Sequence, residues 1–389
     1  MCLLTPNNDR LAGRHVEGAN PPFEVTMPQR LLLDIGPTAG GHGARGIGSY
    51  VRGLIEAIGD WPVEHRELVW AMAPADVAFP AFEGRSVGSR LRSFRPTDAG
   101  LLLGSLTTGR AAHSAGAGVF HSTDPQRPVR LRKIKQIVTA YDLIPLREPA
   151  MLNSWRPHHR YAYRLFLEQL RRADVIVAIS KATATDLTER LGIPESRISI
   201  VYPVVRTPRT AERAPAAEPT FLYVGALDSH KQPELAIAAL AEFRRVHTAG
   251  KLRFIGPSAP EQLLGLRRQA ESLGVGESVS FEGRVSDDAL DAAFATATAL
   301  LSTSRIEGFG LPGVEAVLRS VPVIAVDTAA ARETVGSAAI LVPSDAGAIA
   351  EAMAAPALLP DADRKIMAAR FTRQAAAVAL WAAYEQVLD

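Results

Sequence analysis

The sequence predicts an α/β protein made of two doubly wound parallel-sheet units in tandem. Short apolar runs alternate with stretches of helical spacing along most of the 389 residues, the pattern of strands joined by crossover helices. That rhythm breaks once, at Arg206 to Pro219, a segment of Arg, Thr, Pro, Ala and Glu with little apolar content, and then restarts. The chain is also longer than one typical domain, and its 47% apolar and 22% charged residues leave material for two cores.

In the first half, Leu31 to Ile35 is a short apolar run, Gly36 to Gly48 is glycine-rich and Ile47 to Ile58 has helical spacing. Strand, turn and helix in that order open a Rossmann-like unit. Apolar runs at Glu67 to Ala73, Gly118 to His121, Gln136 to Ala140, Asp174 to Ile179 and Ile198 to Tyr202 supply its further strands. In the second half, strands are expected at Thr220 to Val224, Leu252 to Ile255, Ser278 to Phe281, Thr298 to Ser302, Val321 to Ala325 and Ala339 to Leu341. Helices are expected at Pro233 to His247, Glu261 to Leu273, Asp287 to Ala295 and Pro312 to Arg319. Phe371 to Leu388 reads as a final helix with Phe371, Val378, Trp381, Tyr384 and Leu388 on overlapping faces, a stripe that needs a partner surface. The division is then a tail over 1–29, a first unit over 30–205, a linker over 206–219, a second unit over 220–370 and a final helix over 371–389. The tail is polar and unpatterned and is read as mobile, with Met27 an alternative start to Met1.

Composition excludes several classes. With 43 basic against 41 acidic side chains the net charge is +2, too small for a dedicated nucleic-acid binder. Cys2 is the only cysteine, which removes any disulfide framework or thiolate metal cage and fits a reducing cytoplasm. There is no apolar run of about 18 residues and no apolar leader, so a cytoplasmic protein is expected. Trp155, Arg156, His158, His159, Arg160, Arg164, Arg171 and Arg172 form a basic, partly aromatic stretch. One reading is peripheral contact with the inner membrane surface. The other is a solvated helix face beside a core of Tyr161, Leu165 and Phe166. His158 and His159 are adjacent and are expected on different helix faces, which argues against joint metal ligation.

The segment richest in chemistry runs Ser302-Thr303-Ser304-Arg305-Ile306-Glu307-Gly308-Phe309-Gly310-Leu311-Pro312-Gly313-Val314-Glu315-Ala316. A buried strand feeds a polar turn, and Pro312 suits the first turn of a helix, where its missing N–H is no loss. The free N–H groups of that helix start, approached closely through Gly308 and Gly310, suit an anion such as a diphosphate. On a fully helical scale Glu307 and Glu315 would stand roughly 12 Å apart along the axis, enough to address two parts of one extended ligand. For two glutamates taken alone there is also a plainer reading, helix capping and a favourable macrodipole interaction. Gly41-His42-Gly43-Ala44-Arg45-Gly46 matches the dinucleotide fingerprint, which points to an NAD-dependent oxidoreductase. The acidic residue expected after the second strand is missing, since Asp76 comes too late.

The whole phrase around Glu307 and Glu315 resembles the paired-glutamate signature of the family 4 retaining glycosyltransferases. The resemblance extends to Phe221-Leu222-Tyr223-Val224-Gly225 with Lys231-Gln232, to Phe281-Glu282-Gly283-Arg284-Val285-Ser286-Asp287, to Val321-Pro322-Val323-Ile324-Ala325 and to Ala178-Ile179-Ser180-Lys181. It implies the GT-B architecture: two facing Rossmann-like units with the active cleft between them and a last helix crossing back to the first. It implies retaining transfer of a sugar, of hexosyltransferase type, from a nucleotide-diphosphate sugar to the hydroxyl of a sugar, lipid-linked or small-molecule acceptor, with no bound cofactor and no obligatory metal. Carried over by residue, Lys231 neutralises the donor phosphates, Glu307 holds sugar hydroxyls and Glu315 binds the ribose. Gly225, His230, Arg284, Val285, Gly308, Phe309, Gly310 and Leu311 complete the donor side, and Gly46, Ile47, Gly48, Tyr141 and Asp142 face the acceptor. Lys231 also has a plain reading as a solvated lysine at a helix start.

Some positions depart from the family pattern. Tyr141 stands where a histidine near the reacting sugar is common, and Ala226 where many members carry an arginine beside the phosphates. His230 is a candidate to replace part of that missing charge. Tyr202-Pro203 replaces a frequent Asn-Gly, and Ser320 a frequent glycine. The departures at Tyr141 and Ala226 motivate a second expectation, a sugar-nucleotide-binding pseudoenzyme or a partner subunit of another glycosyltransferase. Asp361-Ala362-Asp363 is read as a helix cap.

Overall fold

The computed structural model describes residues 30–38, 46–74, 82, 86–89, 98–125, 127–129, 131, 133–205, 213–357 and 360–388. The tail over 1–29, the fingerprint residues 41–45 and linker residues 206–212 lie outside the described residues.

The first sheet is built from β1 (Arg30–Asp34), β2 (Val69–Pro74), β3 (Ser86–Ser89), β4 (Ala117–Ser122), β5 (Lys135–Ala140), β6 (Val175–Ala178) and β7 (Ile198–Ile200). Its helices are α1 (Gly46–Gly59), α2 (Val63–Leu68), α3 (Asp98–Ser114), α4 (Ile144–Arg147), α5 (Pro149–Ser154), α6 (Pro157–Arg172) and α7 (Lys181–Leu191). The second sheet is built from β8 (Thr220–Val224), β9 (Lys251–Ile255), β10 (Val279–Gly283), β11 (Ala299–Ser302), β12 (Val323–Val326) and β13 (Ile340–Val342). Between and after these run α8 (Pro233–Val246), α9 (Pro260–Ser272), α10 (Asp287–Thr296), α11 (Leu311–Leu318), α12 (Ala329–Thr334), α13 (Ala346–Ala354), α14 (Asp361–Ala369) and α15 (Arg373–Leu388).

Strand order is β3-β2-β1-β4-β5-β6-β7 in one sheet and β10-β9-β8-β11-β12-β13 in the other. Every pairing is parallel. Strands covered on both faces must be apolar throughout, and Leu31, Leu32 and Leu33 of β1, like Val323, Ile324 and Ala325 of β12, are buried without alternation. The order reverses between β1 and β4 in the first sheet and between β8 and β11 in the second, which makes two switch points.

The last helix crosses back as expected. Leu380 and Tyr384 of α15 are fully buried, and the Tyr384 ring lies edge-on to Trp61, just after α1, and to His121 of β4. His121 Nδ1 meets the Tyr384 hydroxyl at 2.9 Å and its Nε2 meets Thr139 Oγ1 at 2.9 Å, so a buried polar chain ties α15 to β4 and β5. The stripe itself differs from expectation. Val378 is 68% exposed, and Phe371 precedes the helix, packing edge-on to Phe309 and Tyr202 where the two units meet. Three smaller corrections follow the same local rules. Glu67 and Leu68 end α2, and the strand begins at Val69. The cap of α14 is Pro360, so Asp361 to Asp363 form its first turn. Tyr161 is 43% exposed on α6, where Tyr163 and Phe166 are the buried rings.

Candidate functional site

Ligands of doubly wound sheets bind beyond the C-terminal ends of the strands, at the switch point. In the second sheet the loops after the two switch-point strands, β8 and β11, carry Lys231 and Glu307. Lys231 ends a short 3-10 turn, Ser229–Lys231. The hydroxyl of Thr303, directly after β11, lies 2.8 Å from the carbonyl oxygens of both Lys231 and Gln232 and shares its one proton between them, so the loop that delivers Glu307 also pins the backbone of Lys231.

Nζ of Lys231 donates to Oε1 of Glu307 at 2.9 Å, and the Ser304 hydroxyl donates to the same oxygen at 2.7 Å. The two ionic side chains are only 23% and 12% exposed. Burial by itself raises the Glu307 carboxyl, but the Lys231 charge and the Ser304 hydroxyl outweigh it, and the group ends below the usual carboxylate range. Burial likewise pulls the Lys231 ammonium down, and Glu307 more than reverses it. Both groups are therefore charged at neutral pH.

Oε2 of Glu307 faces the start of α11. Gly310, the cap residue there, has φ +87°, and a β-carbon on it would stand 3.0 Å from that oxygen, so backbone and contact both ask for glycine. Leu311 and Pro312 then open α11; Pro312 has no N–H and the Gly313 N–H donates to the Gly310 carbonyl at 3.1 Å, so the Leu311 N–H is the first backbone donor this helix start offers an anion. Glu315 lies about one turn further along, half-buried. The Phe309 ring turns away from the cleft into the junction with Tyr202 and Phe371, so its main chain is what borders the site. Gly225 lies beneath Lys231, whose Nζ would be 3.8 Å from a β-carbon there. Exposed Arg284 and half-buried Val285 follow β10 on the same rim.

The first unit meets this rim from across the cleft. A β-carbon on Gly46 would stand 4.0 Å from Cδ1 of Leu311, so the starts of α1 and α11 face each other, with Ile47 half-buried and Gly48 buried behind. Asp142, just after β5, accepts from the Ile144 N–H at 3.1 Å. Burial pushes its carboxyl up against the pull of that amide and of the nearby His230 and Lys231. A β-carbon on Gly308 would collide with the Tyr141 carbonyl and stand 3.2 Å from Cβ of Asp142, so only glycine lets the loop come this close. Lys231, Glu307, Gly308, Leu311, Gly46 and Asp142 are thus brought together.

Three expectations need correction. The Tyr141 side chain does not face the acceptor: its hydroxyl donates to the Thr123 carbonyl at 2.9 Å, its ring packs edge-on to Tyr50 at 5.5 Å, and it is buried. A phenol ring extends further than an imidazole and finds its partner in the core. His230 is buried, and burial followed by the Lys231 charge lowers its pKa, so it is no standing cation in place of the missing arginine. On α6 the rings of His158 and His159 lie 4.2 Å apart rather than on separate faces. Among the described residues no group of three or more His, Cys, Asp or Glu could hold a metal ion, and no helix is long and apolar enough to cross a membrane. Sequence reasoning gives Thr303 and Ser304 no role; the signal for them is a pair of hydroxyls just before a carboxylate in a strand-to-helix turn.

Residues 206–375 match the family described as Glycosyl transferases group 1, and residues 44–209 match the one described as Glycosyltransferase Family 4. The chain belongs to the family 4 glycosyltransferases. Among curated relatives, it is 32% identical over 173 residues to D-inositol 3-phosphate glycosyltransferase of Acidothermus cellulolyticus, a match over 39% of this chain and 38% of that protein. It is 24% identical over 228 residues to the O-antigen chain mannosyltransferase RfbU of Salmonella typhimurium, over 58% of this chain and 62% of that one. The matches therefore span 38% and 62% of these relatives, in both cases less than two thirds. Sucrose-phosphate synthase from Thermosynechococcus elongatus superposes with a TM-score of 0.71 at 21% identity, covering 92% of this chain and 98% of that one. Anabaena HepE in complex with UDP and glucose gives 0.70 at 17%, covering 92% and 99%. At these identities the likeness shows the fold, and it is the GT-B architecture of this family.

Proposed function

We propose that the chain transfers a sugar, with retention at the anomeric carbon, from a nucleoside-diphosphate sugar to an acceptor hydroxyl in the making of a glycan, glycolipid or glycosylated metabolite. The observation that carries this reading is the Lys231–Glu307 ion pair at the β8/β11 switch point, backed by the start of α11 and faced by Asp142. Lys231 stabilises the charge that grows on the departing diphosphate, together with the Leu311 N–H at the start of α11. Glu307, held through Oε1, presents Oε2 to the hydroxyls of the sugar, and the main chain of Gly308, Phe309 and Gly310 borders it. Glu315 takes the ribose. Gly225, Arg284 and Val285 line the nucleotide side. Gly46, Ile47, Gly48 and Asp142 line the acceptor side, where Tyr141 contributes main chain only. HepE, captured with UDP and with UDP-glucose, supports a nucleotide-sugar donor.

The acceptor hydroxyl attacks from the face the diphosphate leaves, and a phosphate oxygen takes its proton, so the scheme needs no side-chain nucleophile. The raised Asp142 carboxyl lies on the acceptor side and suits a hydrogen bond to the incoming hydroxyl. The test is a screen of nucleoside-diphosphate sugars for thermal stabilisation, followed by release of nucleoside diphosphate with candidate acceptors. A ligand at about 100 times its dissociation constant adds roughly 2.7 kcal/mol to native stability. Stabilisation by no sugar nucleotide would overturn the reading, and stabilisation without release under any acceptor would leave a binding protein.

A further inference from the structure

Two polar contacts cross from the second unit to the first at the N-terminus of α7, one ending on the main chain of Gly308 beside Glu307 and the other on Glu333 of α12. Ser180 is the cap of α7, its Oγ accepting from the Thr183 N–H at 2.9 Å. The same hydroxyl donates to the Gly308 carbonyl at 2.5 Å. A carbonyl can only accept and a hydroxyl has one proton, so the direction of that bond is fixed. Thr183 in turn donates its hydroxyl to the Tyr141 carbonyl at 3.1 Å, the oxygen against which Gly308 is pressed. The second contact comes from α12. The Glu333 carboxylate accepts from the Lys181 N–H at 2.6 Å and from the Ala182 N–H at 2.9 Å, two groups that a helix start leaves without an intrahelical partner.

We propose that Ser180 and Glu333 are positioning residues that clasp the N-terminus of α7 to the second unit, and so hold the Glu307 loop against Asp142. The inference rests on the transferase reading above. Three successive N–H groups of α7 are taken by this arrangement, two of them by a carboxylate from the other unit, so opening the cleft strips both from their partner. Gly308 is the residue next to Glu307, and fixing its carbonyl fixes the register of the loop. Arg370 holds Glu333 in place from the hinge, donating to its carbonyl oxygen at 2.9 Å while its guanidinium stacks over Tyr202 and Phe371. The clasp therefore joins the hinge to the reacting centre through α12 and α7, with no contact to the nucleotide.

The test uses the full chain with Glu333→Ala, Ser180→Ala and the conservative Ser180→Thr. Small-angle scattering without ligand is expected to show a larger radius of gyration for Glu333→Ala and Ser180→Ala than for the parent and Ser180→Thr. With a nucleotide sugar that the parent turns over, kcat is expected to fall tenfold or more in the two alanine variants, since small misplacements cost roughly a hundredfold. Donor KM and UDP affinity are expected to stay with the parent, and Ser180→Thr to keep its kcat. Ser180→Ala also loses a helix cap and Glu333→Ala the acceptor of two N–H groups at the same helix start, so the melting temperature is read alongside for both. Scattering curves identical to the parent's would overturn the clasp. An unchanged kcat, or donor affinity falling in parallel with kcat, would overturn the positioning role. A parent that turned over no nucleotide sugar would sink the transferase reading instead, with the scattering still deciding whether the clasp exists.

Discussion

Gly308 is pressed against Tyr141 across the cleft: a β-carbon at Gly308 would stand 2.2 Å from the Tyr141 carbonyl oxygen and 3.2 Å from Cβ of Asp142. Neither atom is the far end of a flexible side chain, so neither can swing aside. Gly308→Ala is expected to push the Glu307 loop away from the first unit. Turnover should fall about a hundredfold, the scale of a misplacement near an ångström, while the melting temperature moves little because the clash is relieved by opening. Steady-state kinetics beside a thermal melt would check it. An alanine variant with parental turnover would mean that the two units do not meet here during the reaction.

Lys231 has two roles that one substitution removes together. Lys231→Ala takes away the cation assigned to the diphosphate and leaves the Glu307 carboxylate, 12% exposed, without its counter-charge. Turnover should fall by about two to three orders of magnitude, and folding stability by about 1–3 kcal/mol. The double variant Lys231→Ala with Glu307→Gln should regain part of the stability and none of the turnover. Equal losses of activity and folded fraction in the single variant would make Lys231 a structural lysine.

Tyr141→Phe separates the ring from the hydroxyl. The ring contact with Tyr50 at 5.5 Å survives, and the bond to the Thr123 carbonyl at 2.9 Å is lost. Stability is expected to drop by about 1 kcal/mol with turnover unchanged. A marked fall in kcat would place the hydroxyl in the chemistry.

His121 makes stability depend on pH. Burial pushes its pKa down to about 3, whereas an unfolded histidine titrates near about 6.5. Between those values the unfolded chain binds a proton that the native chain does not. Stability is thus unaffected above the unfolded value and falls as pH drops below it, by up to about 1.4 kcal/mol per pH unit. Urea titrations from pH 8 to pH 4 should show this slope in the parent and a shallower one in His121→Asn. Parallel slopes would mean that other groups carry the acid lability.

The features legible in the sequence are those set by local pattern. The segment from Ser302 to Ala316 declares strand, turn and helix within fifteen consecutive positions, and its glycines and Pro312 have local reasons to be there. Contacts between distant residues left no such trace. His121 and Tyr384 are 263 positions apart, and Glu333 is 152 from Lys181. Strand β3, Ser-Val-Gly-Ser, has no apolar run to announce it. Tyr141 misleads for a related reason: its position in the motif is at the cleft, but the direction of its ring is set by Tyr50 and Thr123, which no spacing within the motif encodes.

Glu307 and Glu315 stand at two points along one extended ligand and should therefore fail differently. Glu315, inside α11, is assigned to the ribose, whose contacts are alike before and during the reaction. Losing such uniform binding raises KM and leaves kcat nearly unchanged, so Glu315→Gln should mainly weaken the nucleotide. Glu307 is assigned to the sugar, where positive charge develops as the diphosphate departs. A carboxylate fixing ring hydroxyls then helps more in the transition state than before it, and Glu307→Gln should mainly lower kcat. The ion pair adds a second effect at this position. A glutamine that keeps the bond from Lys231 at Oε1 still loses the charge that balances the ammonium, which frees Lys231 to bind the diphosphate more tightly. Free nucleoside diphosphate is therefore expected to bind Glu307→Gln at least as well as the parent, and Glu315→Gln less well. Both kinetic constants for both variants with one donor, together with diphosphate titrations, decide the matter. Parental affinity in Glu315→Gln, or normal turnover in Glu307→Gln, would show that the two carboxylates do not divide the donor between them.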